Sequence, residues 1–413
     1  MERRKFLTVA GAVVATATER QKDGRTESPG HPLPSFRRSV AFRAQEPALG
    51  PEVFTRRLAR AQAELKTRKL DVLVATPSTN YEYFTGYNPG RSERLIALVL
   101  PVTGAPAVVC PAFEVERVKR HSAIADVRGW EEQDDPFRLV RDTVRGLKKG
   151  GNGAIALEPS TAYETYLRLA DALGGWRIVD AAPVTERLRI IKAPEEVSLI
   201  RRAIEITEAA MAATFGQLAV GMSERDVARL LSREMQQRGA EGGGLVQFGP
   251  SSALPHGGPA GAPLEHERVV LIDCGCRVGG YESDITRTVW FGDHPTEEFR
   301  KIFNVVHDAQ TAAMQLGRPL LTKCTELDRA ARKIITDAGY GAFFTHRLGH
   351  GLGMDGHEPP YIVEGNETRL EPGMVFTIEP GIYQLEKFGV RIEDDCVMTE
   401  NGIEVLSHRA SKL

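Results

Sequence analysis

Two stretches of the chain read as copies of one plan, offset by about a hundred residues. In the first, Glu195 to Phe215 and Glu224 to Arg238 carry apolar residues at helical spacing (Val197, Ile200, Ile204; Val227, Leu231, Met235), and Gly239 stops the second helix. In the second, Thr296 to Leu316 and Glu326 to Ala338 repeat the order through Phe299, Ile302, Val306 and Leu327, Ala331, Ile334, with Gly339 as the stop. Each copy then supplies a strand pair, Val269 to Phe291 in one and Met374 to Thr399 in the other. Two similar halves closing on one another leave a cleft between their sheets, where ligand sites favour sitting.

The strand pairs hold the chemistry. Val269 to Ile272 is an apolar run that ends on Asp273, and a hairpin folded about Val278-Gly279 places Asp273 directly opposite Asp284. Facing residues in an antiparallel pair point to one side, with Cβ atoms about 4.5 to 5.5 Å apart. Two buried carboxylates so placed repel, and one would take up a proton unless a divalent cation lay between them. The alternative, a solvated acidic hairpin, fits poorly with the apolar run. The second strand pair repeats the device: Glu379 follows Val375 to Ile378, Glu393 follows Val390-Arg391-Ile392, and a turn near Glu386 sets them across from each other, although Pro380 and Gly381 disturb the register.

A fifth ligand is expected from the run His346 to His357. His346 and His350 have the spacing of a zinc-binding helix, but Arg347 stands where that motif needs glutamate, and glycines at 349, 351 and 353 oppose a helix. Gly351, Gly353 and Gly356 also spell a dinucleotide fingerprint, yet Glu358-Pro359-Pro360 follows where a helix must start, so the nucleotide reading falls. Three histidines in twelve residues among glycines are read instead as a site wall. The five cysteines include no CxxC pair and are odd in number, so neither a disulfide framework nor a zinc ribbon is supported. Cys274 and Cys276 are read as packing thiols.

With 413 residues and 42% hydrophobic content, the chain is globular and long enough for roughly two or three domains. Its 53 basic and 55 acidic residues exclude the strong basic balance of a nucleic-acid binder. Residues 1–50 hold nine Lys/Arg against five Asp/Glu, so the basic excess belongs to the tail. No apolar run approaches the roughly 20 residues of a membrane span. Within residues 1–17, Arg3-Arg4 ahead of a mild apolar stretch and the Ala15-Thr16-Ala17 site reads as a twin-arginine export signal. The C-terminal Ser411-Lys412-Leu413 matches a peroxisomal address, but a tripeptide recurs by chance far more readily. Export is therefore the expectation, with a cytoplasmic or peroxisomal location as the alternative. Residues 18–50, rich in Pro, Gly, Ser, Arg and Glu, read as a linker. Helices at Val53 to Lys69, Phe137 to Lys148 and Ala162 to Leu173 then alternate with strands at Val72 to Val74, Leu95 to Leu100, Ala107 to Val109, Ala154 to Leu157 and Arg177 to Val179, giving an α/β domain over 51–185. The repeated halves fill 186–413.

The stretches LIDCGCRVGGYESDITRT, THRLGHGLGMDGHEPPYI, EPGMVFTIEPGIY and GVRIEDD, with LRIIKAPEEVSLIRRA before them, resemble in order the pita-bread metallopeptidases, the family of methionine aminopeptidase, aminopeptidase P and prolidase. The resemblance implies an α/β (α+β) chain with a pseudo-twofold pita-bread catalytic domain. Its metal-ligand pattern maps onto Asp273, Asp284, His350, Glu379 and Glu393, with none missing. The first domain, with Asn80-Tyr81-Glu82-Tyr83-Phe84-Thr85-Gly86, looks like the creatinase-type domain of the proline-specific members. By the same resemblance Glu379 doubles as a proton shuttle, His256 and His357 contact substrate and stabilise the tetrahedral intermediate, and His346 is a pocket residue. Arg391, two residues before Glu393 on one strand face, is expected to orient a ligand carboxylate.

The expected activity is hydrolysis of the Xaa-Pro bond of a proline-containing peptide, by an aminopeptidase or a dipeptidase, through a hydroxide bridging two divalent cations. An oxygen-rich site with one imidazole and no thiolate suits Mn²⁺, with Co²⁺, Zn²⁺ or Fe²⁺ as other occupants. The resemblance also implies a homodimer. The rival readings are a non-catalytic binding member, which retention of all five ligands opposes, and another hydrolase or lyase chemistry in the same pocket.

Overall fold

Short apolar strands build the first domain, in a computed structural model that describes residues 49–147, 153–259 and 261–413. The export signal expected at 1–17 and the linker expected at 18–50, apart from Leu49 and Gly50, lie outside the described residues. Six strands, β1 (Val72–Ala75), β2 (Ala97–Pro101), β3 (Ala107–Pro111), β4 (Asp126–Trp130), β5 (Ala154–Leu157) and β6 (Arg177–Asp180), form one mixed sheet in the order β4-β3-β2-β1-β5-β6. The central β1 pairs antiparallel with β2 and parallel with β5. It is buried throughout because both faces are covered, which is why it reads as an unbroken apolar run. Leu73 and Ala75 enter one core cluster with Leu65, Tyr81 and Leu98, while Val72 and Val74 enter another with Trp130, Val140 and Leu169. β4 carries little apolar signal, with four of its five residues incompletely buried, and was not expected from the sequence.

A helix Ala182–Ile190 runs across position 185, and Ile191 bridges Met374, so the chain is already tied to the second domain at that point. There the helical halves take the expected order: Pro194–Phe215 with Glu224–Gln237, then Glu297–Leu316 with Cys324–Asp337. The helix Glu224–Gln237 starts on a reciprocal cap, Ser223 Oγ accepting from the Asp226 N–H while Asp226 accepts from the Ser223 N–H, and buries Val227, Leu231 and Met235. In its counterpart Ile335, not Ile334, lies innermost, four residues beyond Ala331.

The first half contributes β7 (Glu241–Phe248), β8 (Arg268–Val278), β9 (Tyr281–Glu282) and β10 (Ile285–Phe291), with β8 central between β7 and β10. The second contributes β11 (Gly349–Gly351), β12 (Glu358–Ile362), β13 (Val375–Ile378), β14 (Gly381–Gln384), β15 (Phe388–Arg391), β16 (Asp394–Thr399) and β17 (Gly402–Val405), with a sheet order β12-β11-β13-β16-β17 and a separate β14-β15 hairpin. All five cysteines are buried and free. Among the described residues no helix is long and apolar enough to cross a membrane.

Candidate metal centre

The first acidic pair sits on the β8–β10 ladder, where Asp273 pairs with Thr286 and Cys274 with Ile285, while Arg277 pairs with Glu282 and Val278 with Tyr281 on β9. The hairpin therefore turns about Gly279-Gly280, both at positive φ (54° and 86°) as a two-residue primed turn demands. This corrects the expected turn about Val278-Gly279 and the expected facing of Asp273 and Asp284. Asp284 falls opposite Gly275, diagonal to Asp273. Moving the turn by one residue displaces the pairing by two, so each side chain keeps its expected face and the carboxylates still converge. A Cβ on Gly275 would collide with the Ser283 carbonyl oxygen, so the strand carrying Asp284 approaches this closely only beside glycine.

In the second half β13 and β16 pair Ile378 with Asp394, and β14 and β15 pair Gly381 with Arg391, so Glu379 and Glu393 fall at facing positions across the break made by Pro380. His350 is the middle residue of β11. Its Nδ1 lies 3.1 Å from the Gly351 carbonyl oxygen, a bond that only the Nδ1–H tautomer makes. Nε2 then carries the lone pair, 3.3 Å from Glu379 Oε1 and 3.7 Å from Asp284 Oδ2.

The structure brings all five expected ligands together. Asp273, Asp284 and Glu393 each offer an oxygen within 4.8 Å of the others; His350, Glu379 and Glu393 form a second such triad, and Asp284, His350 and His357 a third. Glu393 belongs to the first two. They lie in a cavity of about 420 Å³ whose wall also includes Pro255, His256, His346, Arg347, His357 and Arg391.

Electrostatics tests whether these residues fit a pair of cations. Burial, and behind it Glu393, pushes the Glu379 carboxyl well above its ordinary range; burial, then Glu393 and Asp273, does the same to Asp284. Glu393 is pushed up to about 8 by burial and by Asp273, against the pull of Arg391 and of the Thr286 hydrogen bond. His350 is pushed down to about 3 by burial and by His357, so its imidazole is neutral at neutral pH. Carboxylates this crowded must hold protons or face positive charge, and oxygen donors with one neutral imidazole are what divalent cations take. The residues fit.

Several partners hold these candidate ligands in place. Thr286 Oγ donates to Glu393 Oε2 at 2.6 Å and accepts from Arg391 Nε at 3.0 Å. Arg391 Nη2 donates to Asp273 Oδ2 at 2.7 Å, and its Nη1 donates to Tyr383 Oη at 2.8 Å and to the Pro255 carbonyl at 3.2 Å. Four of the five guanidinium N–H groups are thus committed inside the wall. Behind Glu393, the buried Asp394 accepts from Arg287 Nη2 at 2.6 Å and from Gln310 Nε2 at 2.9 Å. His346 Nε2 lies 2.8 Å from Tyr383 Oη, and burial pushes this imidazole down to about 4. The His357 ring centroid is 3.9 Å from that of His350, while His256 stands exposed at the rim. Thr286 and Tyr383 were missed in the sequence. Thr286 had a signal, two residues beyond Asp284 on the same face; Tyr383 lies past the Pro380-Gly381 break, where periodicity says nothing.

Fold and site together define a two-domain, metal-dependent hydrolase with a pseudo-twofold catalytic domain. The chain belongs to metallopeptidase family M24: the model of that family matches residues 198–400, and the creatinase/prolidase N-terminal domain matches 57–191. It is 37% identical over 358 residues to an Xaa-Pro dipeptidase from Lactobacillus helveticus, covering 85% of this chain and 96% of that one. Among solved structures it resembles the dipeptidase PepE from Mycobacterium ulcerans, at 36% identity and a TM-score of 0.82, covering 89% of this chain and 98% of that one. It likewise resembles a prolidase from Thermococcus sibiricus, at 32% identity and a TM-score of 0.79, covering 87% and 98%.

Proposed function

We propose that the chain is an Xaa-Pro dipeptidase that works with two divalent cations, Mn²⁺ foremost, held by Asp273, Asp284, His350, Glu379 and Glu393. The observation that carries the reading is the pair of ligand triads sharing Glu393 in a cavity rimmed by His256, His346 and His357. Cations bound there would supply a nucleophile from water at neutral pH and polarise the scissile carbonyl. Glu379 is suited to take and pass the proton, because its carboxylate lines the cavity beside the other ligands, where that water would sit. His357 is uncharged at neutral pH, lowered by burial and by Arg347, and with His256 can donate a hydrogen bond to substrate oxygen. Arg391 acts first through Asp273, and its remaining N–H is what it can offer a ligand carboxylate.

The names of the relatives favour a dipeptide substrate. An Xaa-Pro bond has no N–H, so recognition rests on a pocket shaped to the ring instead of a backbone contact. Proline release from Gly-Pro by the Mn²⁺-loaded chain, compared with cleavage of Gly-Pro-Gly, tests this. Faster release from the dipeptide supports the reading; preference for the tripeptide makes the chain an Xaa-Pro aminopeptidase, and cleavage of neither points to another chemistry in the pocket.

A further inference from the structure

In the segment between the domains, Arg189 and Lys192 are both directed at one carboxylate. Lys192 Nζ lies 2.6 Å from Glu358 Oε1, with the two side chains only 1% and 5% exposed. Arg189 Nη2 bonds the other Glu358 oxygen and, at 2.7 Å, Asp355 Oδ2. The first domain adds a second hold on Asp355, whose Oδ1 accepts from Thr79 Oγ at 2.6 Å. Arg189 Nη1 donates to Asn80 Oδ1 at 3.1 Å, tying the guanidinium to the helix Thr79–Thr85 that begins with Thr79.

Asp355 and Glu358 bracket His357. That histidine is exposed, touches the His350 ring, and among the described residues its side-chain hydrogen bond is a long one, 3.3 Å from Nδ1 to Arg347 Nη2. Its place over His350 must therefore come from the backbone of the turn that presents it. Ion pairs that only joined two domains could sit anywhere along the interface; these grip the turn on both sides of a cavity histidine.

We propose that Arg189, seconded by Lys192, is a positioning residue for His357, the fork of its guanidinium locking the Asp355–Glu358 turn against the first domain and thereby making that domain part of the catalytic apparatus. The inference rests on the reading of His357 as a substrate contact. A misplaced catalytic group typically costs up to about 100-fold in rate.

The test is a double-mutant cycle on the whole Mn²⁺-loaded chain, with kcat and KM for Gly-Pro and the melting temperature measured for each variant. Arg189→Met is expected to lower kcat about 10- to 100-fold, yet to change it less than about twofold when His357→Ala is already present, because both act through one group. Arg189→Lys, which keeps the charge but not the fork, should recover part of the loss. Any fall in melting temperature should be the same in both backgrounds. Equal fold-losses in the two backgrounds, or none in either, would overturn the proposal. If Arg189→Met does not fold, Thr79→Val, which removes one bond to Asp355, must show the same non-additivity at smaller size. A second readout works without activity: in ¹⁵N-histidine spectra of the metal-free chain, the resonance that His357→Ala deletes should shift or broaden in Arg189→Met. An unchanged resonance counts against the proposal even if the wild type proves inactive on Xaa-Pro peptides, which would be a failure of the functional reading alone.

Discussion

Glu393 is the candidate ligand on which the site turns, since two of the three triads include it and Thr286 holds it with a 2.6 Å hydrogen bond. Removing the Thr286 hydroxyl by Thr286→Val leaves the ligand set intact but frees both Glu393 and Arg391. Metal affinity should fall about 10- to 100-fold, as for other groups that orient ligands, measured by competition with a chelator; unchanged affinity would show that Thr286 supports nothing. The protons on the ligands give a second prediction. In the metal-free folded chain Glu393 keeps its proton up to about 8, whereas in the unfolded chain it loses it near its ordinary 4.5. Between those values the folded state binds more protons, so the contribution of Glu393 to the stability of the metal-free protein is full below about 4.5 and is lost as pH rises through about 8. Asp284 and Glu379 act in the same direction. Metal displaces these protons, so the rise in melting temperature on adding Mn²⁺ should grow over that window; a rise independent of pH contradicts the assignment. At this scale the candidate ligands Asp273, Glu379 and Glu393 were legible because each ends or follows an apolar strand run, where a lone carboxylate is costly, whereas Asp284 rested on the hairpin and His350 on the family resemblance. The N–H groups of Arg391 were not, since nothing in a sequence says that Tyr383, Thr286 and Pro255 will claim them.

In the elements, alternation fixed the face and left the register open. The facing of Asp273 with Asp284 was wrong by two positions because the Gly279-Gly280 pair, not Val278-Gly279, makes the turn. Convergence survived because a two-residue shift keeps parity. Gly275 is where this close packing can be tested. Gly275→Ala places a methyl against the Ser283 carbonyl and must move the strand that carries Asp284. We expect a loss of about 1–3 kcal/mol in stability together with weaker metal binding, read by urea denaturation and calorimetric titration. A variant as stable and as tight as the wild type would mean that the approach of the strands is not needed. β7 was missed because Gly242-Gly243-Gly244 reads as a loop, although a Cβ at Gly244 would collide with the Asp273 carbonyl oxygen of the neighbouring strand. The seven expected helices came through nearly whole, their apolar spacing being a local signal, whereas Thr79–Thr85, Val115–His121 and Ala182–Ile190 were not expected.

For the whole molecule, two similar halves and a preceding α/β domain could be read from helical spacing and strand runs, whereas the contacts that join them could not. Arg57, on the first helix of the first domain, is buried against Glu196 of the second at 2.9 Å, with the Tyr281 hydroxyl donating to the same carboxylate. The partners are 139 residues apart in the chain, beyond any local pattern. Arg57→Ala leaves the Glu196 charge buried without its cation and should cost about 3–5 kcal/mol, measured by equilibrium denaturation of the metal-loaded chain; a loss below about 1 kcal/mol, the size of a surface pair, contradicts the buried role.

The central claim is that four carboxylates and one imidazole gather two cations that do the chemistry. Metal content and proline release from Gly-Pro, measured on the same samples of wild type, Asp284→Ala and Glu393→Ala, test it most directly. The account predicts two bound ions per wild-type chain with proline released, and soluble variants that lose bound metal and turnover together. Undiminished release by a metal-stripped preparation, or by either variant, would contradict it.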